Sequence, residues 1–125
     1  TRSAPVAALV AEVVERVPGS ASTDFGVPRA QSAGDSEPVG GGELKRLEAL
    51  RAAAWAEFER VAGSAPAELR KGPRGGGRDT AKIVAHVHDA EDLYRKQPWP
   101  APYAARRSAW HALDHAWEIE DRTER

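Results

Sequence analysis

The run Tyr103-Ala-Ala-Arg-Arg-Ser-Ala-Trp-His-Ala-Leu-Asp-His-Ala-Trp-Glu-Ile-Glu-Asp-Arg122 decides the fold. It contains no glycine or proline, and Ala105, Ala109, Ala112, Leu113, Ala116, Trp117 and Ile119 recur at three- and four-residue intervals, so it reads as a helix with those residues toward a core. Just upstream stand Pro98, Pro100 and Pro102, which are read as forbidding helix between them and so set the start near Tyr103. On this helix His111 and His115 are four residues apart, one turn above each other on one face, a spacing that lets two imidazoles share one metal ion.

Working back from that helix, Ile83, Val87, Ala90 and Tyr94 form the apolar stripe of another, with Asp79 or Thr80 as its N-cap and its end near Lys96. His86 lies about 60° from the centre of the stripe and faces inward, whereas His88, about 140° away and followed by Asp92 and Arg95, belongs to a solvated face. A helix from about Glu43 to Ala62 carries Leu44, Leu47, Leu50, Ala54, Phe58 and Val61 on one face, with Gly63 as its stop. The fold class expected is therefore all-α, a bundle with three clear helices over residues 43–125. Residues 1–42 are expected as an N-terminal segment and irregular connection. Within them Val6–Val17 leans to a short helix despite its β-branched second half, and the Pro-, Gly-, Ser- and Asp-rich stretch 18–42 is extended or poorly ordered.

Whether the histidines meet is a matter of height. If residues 97–102 reverse the chain tightly, His86 stands roughly 15 Å up its helix from the turn, and His111 and His115 roughly 12 and 18 Å up theirs. His86 is level with their midpoint, so the three describe an open His₃ site that leaves coordination positions for water or substrate. The competing reading is a polar cluster in which the imidazoles are satisfied by hydrogen bonds to neighbours such as Asp114 or Glu118. His₃ suits Zn, Ni, Fe or Co alike.

Composition narrows the chemistry. The 125 residues allow one compact domain with a modest core. With Lys+Arg 18 against Asp+Glu 19, net charge −1, no whole-protein attraction to nucleic acid or an anionic membrane is expected. No signal peptide or spanning segment is read, so the expected location is cytoplasmic. The absence of cysteine removes disulfides, thiolate nucleophiles and Cys-ligated zinc together, leaving His and carboxylate as metal ligands. The absence of methionine, even at position 1, leads to the expectation of a processed product or a piece of a longer chain.

The stretches Lys71-Gly-Pro-Arg-Gly-Gly-Gly-Arg-Asp-Thr-Ala-Lys-Ile-Val-Ala-His-Val-His-Asp-Ala-Glu91 and Tyr103–Arg122 resemble an actinobacterial branch of the DinB-like (YfiT-type) superfamily. The resemblance covers roughly residues 42–122. It implies a four-helix bundle with a metal triad of one His on the second helix and a His-x-x-x-His pair on the fourth, here His86, His111 and His115, binding zinc, nickel or a related divalent ion. It further implies a thiol-dependent transferase or isomerase using a low-molecular-weight thiol such as mycothiol, or a hydrolase. The sequence departs from that pattern in having no room between Tyr94 and Tyr103 for the bundle's third helix. The N-terminal segment or a second subunit is then expected to complete the bundle over Trp110, Leu113 and Trp117, which makes a homodimer the expected assembly.

Two further sites are read. The loop Arg70–Arg78 places four cations and four glycines ahead of a helix N-terminus, so Arg74 and Arg78 are candidates to hold a substrate or cofactor anion, with a flexible solvated loop as the plainer alternative. Among Asp89, Glu91, Asp114 and Glu118, helix angles bring Glu118 nearest the histidine face, making it the candidate catalytic residue or imidazole-orienting group. The tryptophans read as core or interface packing. The function expected is a metal-dependent enzyme activating a thiol or water on a small-molecule substrate, with no nucleic-acid or membrane partner. A non-catalytic helical module with a structural metal, or none, acting through dimerisation or partner binding, is the alternative.

Overall fold

The computed structural model describes residues 10–123. These form four α-helices and no strand: α1 (Ala21–Asp24), α2 (Gly41–Ser64), α3 (Thr80–Arg95) and α4 (Ala101–Arg122), with a 3₁₀ turn at Ala33–Ser36. The protein is an all-α helical bundle as expected, and no described helix is long and apolar enough to cross a membrane. The chain divides into two compact units, residues 1–32 and 33–125. The second unit includes the 3₁₀ turn, which is tied to α4: buried Asp35 accepts two hydrogen bonds from Arg106, at 2.6 and 2.7 Å.

In the first unit, the expected helix Val6–Val17 falls partly outside the described residues, and from Val10 to Val17 there is no helix. Its β-branched residues lose side-chain freedom in a helix and supply no compensating stripe. The stretch read as irregular contains the single turn α1, closed at both ends by local chemistry. Ser20 and Thr23 form a reciprocal capping box. Gly26, at φ 84°, allows a left-handed exit in which its N–H and that of Val27 bond back to the carbonyls of Thr23 and Ser22.

In the second unit α2 buries Leu47, Ala54, Phe58 and Val61. Leu44 and Leu50, expected on the same face, are 43% and 53% exposed. Each lies about 60° to either side of the stripe centre, so only the middle of the stripe meets α4. The helix also runs past Gly63, which has no positive φ, and ends at Ser64 because Pro66 holds Ala65 extended at ψ 151°. α4 starts at Ala101, two positions before Tyr103, since Pro102 falls in the first helical turn, where no intrahelical N–H is needed. The connection from α3 to α4 is as short as the prolines suggested, with no helix between Arg95 and Ala101.

The core joins Phe58 and Val61 of α2, Leu69 of the following connection, Ile83 and Val87 of α3, and Ala112, Ala116 and Ile119 of α4. Small residues at 105, 108, 112 and 116 let α2 lie close along α4, and that is the most extensive helix contact. Leu69 is pinned by its own N–H donating to Asp79 Oδ1 at 3.0 Å, and Thr80 Oγ1 donates to the Pro66 carbonyl at 2.6 Å. Asp79 is therefore the N-cap of α3 by position, but its carboxylate is spent on Leu69 and Lys71 rather than on the helix.

A polar link crosses this core. Arg51 of α2 donates to Glu91 of α3 at 2.7 Å and to Ser108 of α4 at 3.2 Å, while Trp55 Nε1 donates to the same hydroxyl at 2.9 Å. These bonds satisfy a buried carboxylate and serine that would otherwise lose their water without replacement. They also fix α3 in register with α2 and α4.

Candidate metal centre

α3 carries His86 between the fully buried Ile83 and Val87, and α4 carries His111 and His115 beside the fully buried Ala112 and Ala116. Because those neighbours lock both helices into the core, the three imidazoles are held rigidly and converge. His86 is partly exposed, while His111 and His115 are 7% and 8% exposed. The Nε2 atom of His111 lies 3.1 Å from Nε2 of His86 and 3.1 Å from Nε2 of His115. All three ligand atoms lie within 4.8 Å of one another.

That geometry is compatible with a cation site. One ring nitrogen carries either one proton or one lone pair, so His111 Nε2 satisfies at most one of its two neighbours by hydrogen bonding. A divalent ion bonded to nitrogens at about 2.0–2.1 Å sets those nitrogens about 2.9–3.4 Å apart at the usual interligand angles. The two spacings of 3.1 Å fall inside that interval. The rings also stand nearly edge to face, with interplanar angles of 69°, 81° and 87°.

Glu118 completes the arrangement from behind. Its Oε1 lies 2.8 Å from Nδ1 of His115, and its Oε2 accepts from Arg122 at 2.7 Å. A proton on Nδ1 donated to the carboxylate leaves the His115 Nε2 lone pair facing the other two histidines. Burial alone would raise the Glu118 carboxyl, but the hydrogen bonds from His115 and Arg122 outweigh it and hold the group below the ordinary carboxylate range. Glu118 is therefore placed as an imidazole-orienting residue, one ring removed from the point where the three nitrogens converge. Asp89 and Asp114 are exposed, and Glu91 belongs to the Arg51 link.

His86 and His111 are kept neutral. Burial, followed by the charges of His115, His86, Arg107 and Arg78, pushes His111 down to about 4. Burial, then Arg78 and His115, lowers His86 as well, against a weaker opposing pull from Glu118 and Asp89. Neutral imidazoles at physiological pH are the form that donates a lone pair.

Of the cations proposed for an anion, Arg74 and Arg78 are both exposed, and neither lines the cleft of about 540 Å³ that adjoins the site. That cleft is bounded instead by Arg70, Lys71, Gly72, Pro73, Gly76, Gly77, Glu118 and Arg122. Arg78 stands close enough to bias His86 and His111. His88 is exposed, with its ring 5.2 Å from that of Trp55.

Sequence reasoning missed Arg107, which lies one turn before His111 and is buried. It donates to the hydroxyls of Tyr103 and Tyr94, each at 3.2 Å, and lies over the rings of Tyr94, Trp99 and Trp110 at 5.1, 5.3 and 5.6 Å. Trp99 and Trp110 are thus cation partners as well as packing residues. The four-residue spacing of Tyr103, Arg107 and His111 was the available signal, but an arginine among alanines reads as surface until its aromatic neighbours are placed by the fold.

No protein-family profile, curated protein or solved structure matches this chain.

Proposed function

We propose that His86, His111 and His115 bind one divalent metal ion and that the chain is a DinB-like, metal-dependent enzyme acting on a thiol or on water. The observation that carries this reading is the pair of 3.1 Å spacings converging on His111 Nε2, which no hydrogen-bonding scheme satisfies together. The resemblance of residues 71–91 and 103–122 to DinB-like proteins, carried in part by the same three histidines, agrees with it. Zinc or nickel is the ion proposed, and a low-molecular-weight thiol such as mycothiol the co-substrate.

Three protein ligands leave coordination open, and an ion held there supplies its usual chemistry: a lowered pKa for a bound water or thiol near neutral pH. The chain's own residues do the rest. Glu118 holds His115 in one tautomer and Arg122 holds Glu118. Burial keeps His86 and His111 unprotonated. The packing of Ile83, Val87, Ala112 and Ala116 fixes the distance between the two helices that carry the ligands.

The test is metal content, by mass spectrometry, of protein purified without an affinity tag and of the His111→Ala, His115→Ala double variant. About one metal per chain, lost in the variant, is expected. A wild-type protein that folds normally and takes up no zinc or nickel overturns the proposal in favour of a non-catalytic helical module.

A further inference from the structure

The cleft beside the metal centre has a chemistry of its own. It is bounded by Arg70, Lys71 and Arg122, with Glu118 as the one acidic residue in its lining, and has a volume of about 540 Å³. Glu118 is already engaged by Arg122 and His115, and Lys71 by Asp79. Arg70 donates to the backbone carbonyl of Asp121 at 2.8 Å, and among the described residues it has no carboxylate partner. The wall is thus left with unneutralised positive charge.

The glycine loop adds neutral donors. It is closed on itself by Gly72 N–H to the Gly76 carbonyl and Gly75 N–H to the Gly72 carbonyl, both at 2.8 Å, with Gly75 at φ 78° and Gly77 at φ 121°. Among the described residues the N–H groups of Gly76 and Gly77 have no backbone acceptor. Successive free amides next to a left-handed residue form a concavity that favours an anion. Arg70 and Arg122 are tied to each other, because Arg122 Nε donates to the Arg70 carbonyl at 2.9 Å and Arg70 N–H donates to the Arg122 carbonyl at 2.8 Å.

We infer that this cleft is an oxyanion subsite, taking the carboxylate or phosphate of a small substrate or co-substrate between Arg70, Lys71 and the amides of Gly76 and Gly77. The inference rests on the metal-centre reading for its purpose, since it makes the substrate of that centre an acidic molecule. The two sites share a wall: Glu118 faces His115 with one oxygen and Arg122 with the other. Arg74 is not in the cleft lining.

The probes are inorganic phosphate and succinate, titrated calorimetrically into metal-free and zinc-loaded full-length protein. Comparison is with an Arg70→Gln, Lys71→Gln double variant and an Arg74→Gln control, each checked for helicity and zinc content. A saturable site for at least one probe, weakened about tenfold or more in the double variant and within about twofold of wild type in the control, is expected. Binding of phosphate alone or succinate alone identifies which oxyanion the subsite takes. Absence of saturable binding of both probes, or equal loss in the Arg74 control, overturns the inference. Because anion binding is read with and without zinc, a protein that binds the anion but no metal sinks the metal-centre reading alone, and one that binds zinc but neither anion sinks only the subsite.

Discussion

Glu118 Oε1 lies 2.8 Å from His115 Nδ1, and this contact decides which nitrogen of His115 turns toward His111 and His86. With Nδ1 committed to the carboxylate, Nε2 is left as the donor atom 3.1 Å from its neighbour on His111. The Glu118→Ala variant should keep its helical signal and lose about 10- to 100-fold in metal affinity, measured by competition with a chromophoric chelator. An unchanged affinity would show that ring orientation is set by packing alone.

Acid should weaken the metal-free fold in a defined window. His111 has a folded pKa of about 4 against an ordinary 6.5, so between those values the unfolded chain takes up a proton that the folded one refuses. Stability therefore rises with pH across that window and is lost as pH falls through it, by roughly 3 kcal/mol for a shift of this size. His86 adds in the same direction. Urea titrations of metal-free protein at several pH values should show the slope, and His111→Gln should remove most of it. Glu118, lowered instead, contributes stability that disappears only at more acidic pH, below its ordinary 4.5.

Gly77 should not tolerate a side chain. Its φ is 121°, and an added Cβ would stand 2.5 Å from Nη2 of Arg122, which is pinned through Nε to Arg70 and through Nη1 to Glu118. Gly77→Ala is expected to cost about 1–3 kcal/mol by thermal or urea denaturation. Gly76→Ala, with no atom within 4 Å of the new methyl and no positive φ, serves as the nearly neutral comparison.

The Arg51–Glu91 pair should be asymmetric. Glu91 is buried, whereas Arg51 is partly exposed and has Glu48 at 3.7 Å as a second acidic neighbour. Arg51→Met strands a buried carboxylate and should cost about 3 kcal/mol, whereas Glu91→Gln leaves Arg51 able to reach water and should cost about 1 kcal/mol. Equal costs measured by urea denaturation would mean that Glu91 is solvated when its partner is removed.

Much of the bundle was legible in the chain because helical periodicity is local: the stripes Ile83–Val87 and Ala112–Ala116–Ile119 need only the 3.6-residue repeat to be seen. The errors lie at ends and edges. Gly63 looked like a stop, but the helix ended one residue later, where Pro66 constrains its neighbour. Pro102 looked like a barrier, but the first helical turn accepts it. Leu44 and Leu50 looked inward, yet the width of the buried stripe depends on the shape of the partner helix.

The same division runs through the site. Spacing and height along two helices were enough to bring His86, His111 and His115 to one level, since rise per residue is set by backbone hydrogen bonding and not by context. Only the tertiary structure decided that Glu118 orients His115, that Arg70 and Lys71 rather than Arg74 and Arg78 bound the adjoining cleft, and that Arg107 is buried among Tyr94, Trp99 and Trp110. Those outcomes depend on where long side chains end. A long side chain has several rotatable bonds, and it is settled only by neighbours that the fold brings from distant positions in the chain.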